Sequence, residues 1–202
     1  MESPLLRSEN SLLLLVDIQE RFRASIPGFD GVVRRSAILV KAAARLGVPV
    51  LASEQYPKAL GSTVEEIRPL LPDPAAVFPK LCFSASGCEP LLSRLKDLSS
   101  PGGGFGFGAR HDAPASSRRQ VVLCGVEAHV CVLQTALELQ AEGFAVHVVD
   151  DAVASRADGD RLAALGRMAR HGVERVTSEM VVFEWLREAG TPEFKELQAL
   201  IK

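Results

Sequence analysis

Three side chains in this sequence are of a type, and in a kind of place, that suits covalent catalysis. Asp17 follows the apolar run Leu12–Val16, Lys80 closes the segment Ala76–Lys80, and Cys131 lies just past Val121–Gly125, where an amphipathic segment begins. A cysteine in the first turns of a helix meets unpaired N–H groups and the positive end of the helix dipole, which favour its thiolate. A lysine ammonium nearby would favour it further. An aspartate can take the thiol proton and later deliver it to a leaving group. Backbone N–H groups around Ala128 to Cys131 can bind the oxyanion of a tetrahedral intermediate. The chemistry this set suits is attack on an amide-like carbonyl, a thioester intermediate and hydrolysis by water. Taken singly, each residue has an ordinary reading: Asp17 caps a turn, Lys80 is a solvated loop lysine, and Cys131 packs on an apolar helix face.

The elements that must bring them together are legible in the hydrophobic pattern. Leu12–Val16 is a continuous apolar run, as expected of a central parallel strand buried on both faces. A helical pattern opens at Pro27-Gly28, runs to Leu46 and stops at Gly47. The pattern then predicts a strand at Val48–Ala52, a loop at Pro57–Gly61, a helical turn at Thr63–Ile67, an extended Ala76–Lys80 and a helix over Pro90–Leu98. Residues 99–119, rich in Gly, Pro and Ser, read as a surface loop within one domain spanning 1–202. Beyond it come a strand at Gln120–Cys124, a helix at His129–Glu142, a strand at Ala145–Val149 and a helix at Asp158–His171. A short strand near Arg175–Thr177 and helical segments Glu179–Glu188 and Pro192–Ile201 complete the chain. This alternation predicts an α/β fold: a central, mostly parallel sheet between two layers of helices. Ligands in such sheets sit beyond the carboxyl ends of the strands, where all three reactive side chains fall.

Composition narrows the function classes. The chain has 202 residues, 47% hydrophobic and 24% charged, the profile of one ordinary globular domain. A net charge of -2 gives no sign of a nucleic-acid or anionic-membrane surface. No apolar run is long enough to cross a bilayer, and Leu12–Val16 is too short for a secretory leader, so a reducing cytoplasmic setting with free thiols is expected. Cys82 and Cys88 lack metal-binding spacing, and Cys124 sits in a buried strand. Gly104–Ala109 matches a dinucleotide pattern but neither follows a strand nor opens a helix, and no phosphate-binding Gly-Lys-Ser/Thr loop exists. Asp17 has no acidic neighbour for a Mg²⁺ site, and no cofactor is expected. Arg110, Arg118 and Arg119 form a small basic cluster that reads as solvated, and nucleic acid is not expected as a partner. His129, two residues from Cys131, points away from the thiol on a helix and reads as a helix-start residue.

Three separated motifs carry a resemblance over most of the chain, from Leu12 to Phe183. Leu14-Leu15-Val16-Asp17-Ile18-Gln19, Phe78-Pro79-Lys80 and Gly125-Val126-Glu127-Ala128-His129-Val130-Cys131-Val132 resemble the isochorismatase-like cysteine hydrolases, a superfamily that includes nicotinamidases and N-carbamoylsarcosine amidase. Glu54-Gln55-Tyr56-Pro57 and Leu60-Gly61 are most similar to its isochorismatase domain-containing branch. The resemblance implies a Rossmann-like sheet, a triad of Asp17, Lys80 and Cys131 in the roles above, and frequent assembly into homo-oligomers. It also implies a non-proline cis peptide near Val126–Glu127, which would turn the backbone of Val126, Glu127 and Ala128 toward an oxyanion. Nicotinamidases carry an Asp-x-His metal motif after the second strand; here the matching stretch is Ser53-Glu54-Gln55-Tyr56-Pro57. None of His111, His129, His147 or His171 lies nearby, so no metal is expected. Isochorismatases proper need no thiol, so Cys131 favours acyl chemistry. Gln19, Phe22, Gln55 and Tyr56 are expected at the pocket mouth. The resulting expectation is a metal-independent hydrolase of a C–N bond in a small molecule. The alternatives are an interaction or regulatory protein on the same scaffold, using the 99–119 loop, and more distantly an RNA-processing or RNA-binding protein.

Overall fold

The computed structural model describes residues 4–71, 76–100 and 118–201; most of the expected 99–119 loop lies outside them. Among these residues six strands form one parallel sheet: β1 (Ser11–Val16), β2 (Val50–Gln55), β3 (Val77–Lys80), β4 (Gln120–Val126), β5 (Ala145–Ala154) and β6 (Glu174–Val176), in the spatial order β3-β2-β1-β4-β5-β6. Among the described residues seven α-helices accompany it: α1 (Phe29–Leu46), α2 (Pro57–Leu60), α3 (Glu89–Ser99), α4 (Leu133–Ala141), α5 (Asp158–Arg170), α6 (Ser178–Leu186) and α7 (Pro192–Ile201).

The unbroken apolar run of β1 is explained by its central place. Leu13 and Leu15 face a core completed by α1, α6 and α7, while Leu12, Leu14 and Val16 face a second core completed by α3, α4 and α5. Every residue of β1 is buried, because both sheet faces are covered. This is the three-layer α/β architecture expected from the alternation.

Several elements outrun their expected limits, each for a visible reason. Strand β2 begins at Val50, since Pro49 has no N–H to donate, and extends to Gln55 because its far edge pairs with β3 as far as Lys80. Strand β5 continues past Val149 through Asp150 and Asp151. Their carboxylates are met there by Arg161, Arg175, Arg35 and the Ser178 N–H and hydroxyl. Pro57–Leu60, expected as loop, makes one helical turn. Thr63 bridges Gln19 in an antiparallel pair, and the following helical turn falls at Arg68–Leu70. The helix expected from His129 starts as a wider π-helical turn over Ala128–Val132, and regular α-helix begins only at Leu133.

One glycine governs the centre of the sheet. Gly125, inside β4, has φ +124, and a Cβ there would lie 2.0 Å from the Val16 carbonyl oxygen and 2.7 Å from the Val16 nitrogen. Both obstacles are backbone, so a side chain could be admitted only by pushing β1 and β4 apart. Gly125→Ala is therefore expected to cost at least about 3 kcal/mol of unfolding free energy by urea titration. A loss under 1 kcal/mol would contradict this account.

Candidate active site

Strand order reverses between β1 and β4, and the crevice beyond their carboxyl ends is where side chains from separate connections can converge. Asp17 occupies the first position after β1, with φ 54, a region that few non-glycine residues adopt. Its N–H donates to the Ser53 carbonyl (3.1 Å), which ties the turn to β2. Lys80 is the last residue of β3, two strands away. With strands about 4.8 Å apart, reaching Asp17 means crossing about 10 Å, a span suited to the long aliphatic stem of lysine. Its Nζ lies 2.7 Å from Asp17 Oδ2, and neither side chain is solvent-exposed.

The pair is fully bonded. Ser53 Oγ donates to Asp17 Oδ1 (2.7 Å), and Lys80 Nζ donates to Gln55 Oε1 (2.6 Å) and the carbonyls of Phe83 (2.9 Å) and Cys82 (3.2 Å). Three ammonium protons thus serve four acceptors, one of them shared. Cys131, 5% exposed within the π-helical turn, is near enough for both charges to act on its thiol. Burial chiefly, and then the Asp17 carboxylate, push its thiol up to about 12, against the opposing influence of Lys80. The thiol form thus dominates at pH 7. The standing thiolate expected from the helix terminus is therefore not what this geometry gives. Cys131 rests as a thiol beside a carboxylate able to receive its proton.

The remaining candidate residues divide. Gln55 spans the site's rim, accepting from Lys80 and donating through Nε2 to the Leu81 carbonyl (2.9 Å). Tyr56 is 48% exposed beside it, with φ 35. Gln19, in contrast, is fully buried. Its amide donates to the Gln55 and Gly61 carbonyls (3.0 and 2.5 Å) and its oxygen accepts the Gln55 N–H (2.8 Å), so it braces the rim from beneath. Phe22 packs against the core on the α1 side. The peptide bond Val126–Glu127 is cis, and Val126 and Ala128 are fully buried. The Glu127 carbonyl accepts from both Val130 and Val132, so the Val130 N–H is committed within the turn and not free for an oxyanion. The Glu127 carboxylate turns the other way, to Arg156.

Sequence reading missed two residues. Ser53 was visible only as the point where a strand turns from apolar to polar, between Ala52 and Glu54, and its partner could not be known before Asp17 was placed beside it. Arg156 gave no signal, because nothing in its sequence neighbourhood points 29 positions back to Glu127. Among the described residues, no three His, Cys, Asp or Glu side chains gather to hold a metal ion, and no helix is long and apolar enough to cross a membrane. A groove of about 490 Å³ lies elsewhere, lined by Pro27, Gly28, Ser155, Arg156, Arg161 and Thr177 among others, and none of the three clustered residues borders it.

Fold and site together define a three-layer α/β protein with a cysteine, a carboxylate and an ammonium at its topological switch point. Comparison with known proteins places it further. The family model described as Isochorismatase domain matches residues 11–180. Isochorismatase domain-containing protein 2A of Mus musculus is 40% identical over 194 residues, which cover 96% of this chain and 84% of that protein. Isochorismatase domain-containing protein 1 of Danio rerio is 43% identical over 192 residues, covering 95% of this chain but 61% of that longer protein. Among solved structures, the MAR1 ribonuclease of Caenorhabditis elegans superposes with a TM-score of 0.84 at 36% identity, covering 98% of this chain and 92% of that one. The chain belongs to the isochorismatase domain family.

Two measurements follow from the site. Alkylation of Cys131 by iodoacetamide is expected to accelerate about tenfold per pH unit from 7 to 10, in step with the thiolate fraction, without levelling near neutrality. A plateau by pH 7 would show an acidic thiol instead. Lys80→Met, which strands the Asp17 carboxylate out of water, is expected to cost about 3–5 kcal/mol, and adding Asp17→Asn to recover part of it. Additive losses on denaturant unfolding would argue against the pair.

Proposed function

We propose that the protein is a metal-independent cysteine hydrolase that cleaves a C–N bond of the amide type in a small molecule, with Cys131 as nucleophile. The observation that carries this reading is a buried Asp17–Lys80 pair near enough to Cys131 for both charges to act on its thiol. Attack of Sγ on the carbonyl carbon transfers the thiol proton to Asp17 in the same event, because free thiolate is scarce. Lys80 offsets negative charge as it builds on the sulfur and the substrate. The tetrahedral intermediate collapses as Asp17 protonates the leaving nitrogen, the amine departs, and a thioester remains. Water then attacks the thioester, Asp17 takes its proton, and the acid product leaves as the Cys131 thiol is restored. Substrate enters over Gln55 and Tyr56, with backbone N–H groups of the Glu127–Cys131 turn other than Val130 facing the oxyanion.

The same proposal takes residues 1–202 as one domain acting in a reducing cytoplasm, in keeping with four free cysteines. It also takes the protein to be a homo-oligomer, in keeping with the exposed apolar side chains Tyr56, Leu81 and Phe83. A second reading, RNA cleavage, is favoured by the name of the Caenorhabditis elegans relative.

The test is a panel of small primary amides and N-carbamoyl compounds, scored by ammonia release. Cys131→Ala is expected to lower any turnover at least 10³-fold with the fold intact, and acyl-enzyme mass on Cys131 to disappear with it. Full activity in that variant would end the cysteine-hydrolase reading. Cleavage of single-stranded RNA that weakens with added salt and survives Cys131→Ala would support the second reading instead.

A further inference from the structure

What holds the Cys131 turn in place lies outside the triad. The turn begins at Glu127, whose Oε2 accepts both the backbone N–H and the Nε–H of Arg156, each at 3.0 Å. Two residues on, His129 Nδ1 meets Ser155 Oγ at 3.0 Å. Ser155 and Arg156 are consecutive and follow directly on β5, whose last residue, Ala154, pairs with Val126 at the end of β4. Two adjacent residues of one connection therefore grip two points of the other, on either side of Ala128. The Glu127 carboxylate is largely buried and the Arg156 side chain largely exposed, so the pair closes the turn from the solvent side. Within the turn the Glu127 carbonyl accepts from Val130 and Val132, which makes Glu127 the point where both sets of bonds meet.

We infer that Glu127, held by Arg156 and seconded by the Ser155–His129 bond, is a positioning residue that keeps the Cys131 thiol packed against Asp17 and Lys80. The inference rests on the nucleophile reading above, yet concerns how the thiol is held and can be tested without a substrate. A displacement of about 1 Å between reacting groups costs on the order of 100-fold in rate. Releasing the turn should have two opposite effects: Cys131 becomes easier for a soluble reagent to reach, while its proton acceptor is lost.

The experiment follows iodoacetamide labelling, cysteine by cysteine, across pH 7–10 in Glu127→Ala, Glu127→Gln and Arg156→Ala. Cys124, fully buried in β4, monitors global loosening. Expected in Glu127→Ala is at least tenfold faster labelling of Cys131 at pH 8, a pH profile displaced to lower pH, and no labelling of Cys124. Arg156→Ala, which keeps its own backbone N–H bond to Glu127, should show about a threefold effect, and Glu127→Gln, which keeps an acceptor oxygen, should stay near the parent. Any amide turnover should fall as labelling rises. An unchanged Cys131 profile, or acceleration of Cys124 alongside Cys131, overturns the inference. Should Glu127→Ala not fold, the same comparison in Arg156→Ala decides it. Turnover that survives Cys131→Ala would defeat the nucleophile reading while leaving the labelling comparison to judge the brace.

Discussion

Burying the Lys80 ammonium against the Asp17 carboxylate removes two charges from water, at several kcal/mol per ion after relaxation. Attraction at 2.7 Å offsets that cost only if the other protons and lone pairs are also satisfied. Much of the local architecture reads as the means to that end. Ser53 serves one carboxylate oxygen, Gln55 and the carbonyls of Cys82 and Phe83 serve the ammonium, and the chain after β3 folds back to deliver them. The register that sets Gln55 beside Lys80 and Ser53 beside Val16 is what makes these bonds possible.

The two buried thiols separate acidity from reactivity. Burial drives both Cys124 and Cys131 up to about 12. Cys124 is packed in the sheet beside the Ser36 hydroxyl, whereas Cys131 has a carboxylate and an ammonium in reach. What sets Cys131 apart is a place for its proton to go. An aspartate held in a fixed position by a buried lysine is such a place, and the scheme needs no standing thiolate.

How much of this was legible beforehand follows from what each signal depends on. The strands β1 and β4 and the helix α1 could be read because their apolar patterns report burial directly, and Gly47 ended α1 as expected. The end of β2 could not, because it depends on pairing with β3, nor could that of β5, because Asp150 and Asp151 look like turn residues until Arg161, Arg175, Arg35 and Ser178 arrive from elsewhere. Asp17, Lys80 and Cys131 could be named from strand-end positions and motif resemblance. Their supports were hidden: Ser53 and Arg156 matter through partners 36 and 29 positions away. Gln19, expected at the pocket mouth by its nearness to Asp17, lies beneath it because its carboxamide finds three backbone partners there.

That carboxamide behaves as a peptide unit supplied by a side chain. It extends the sheet's hydrogen bonding beyond the end of β1, tying the end of β2 to Gly61, and so lends the 55–61 connection the stiffness of the sheet. Tyr56, at the head of that connection, has its backbone N–H held by the Lys80 carbonyl, so its main chain is set before anything docks against it. The conformational entropy of fixing this stretch of backbone is then met during folding, so whatever docks there does not have to order it.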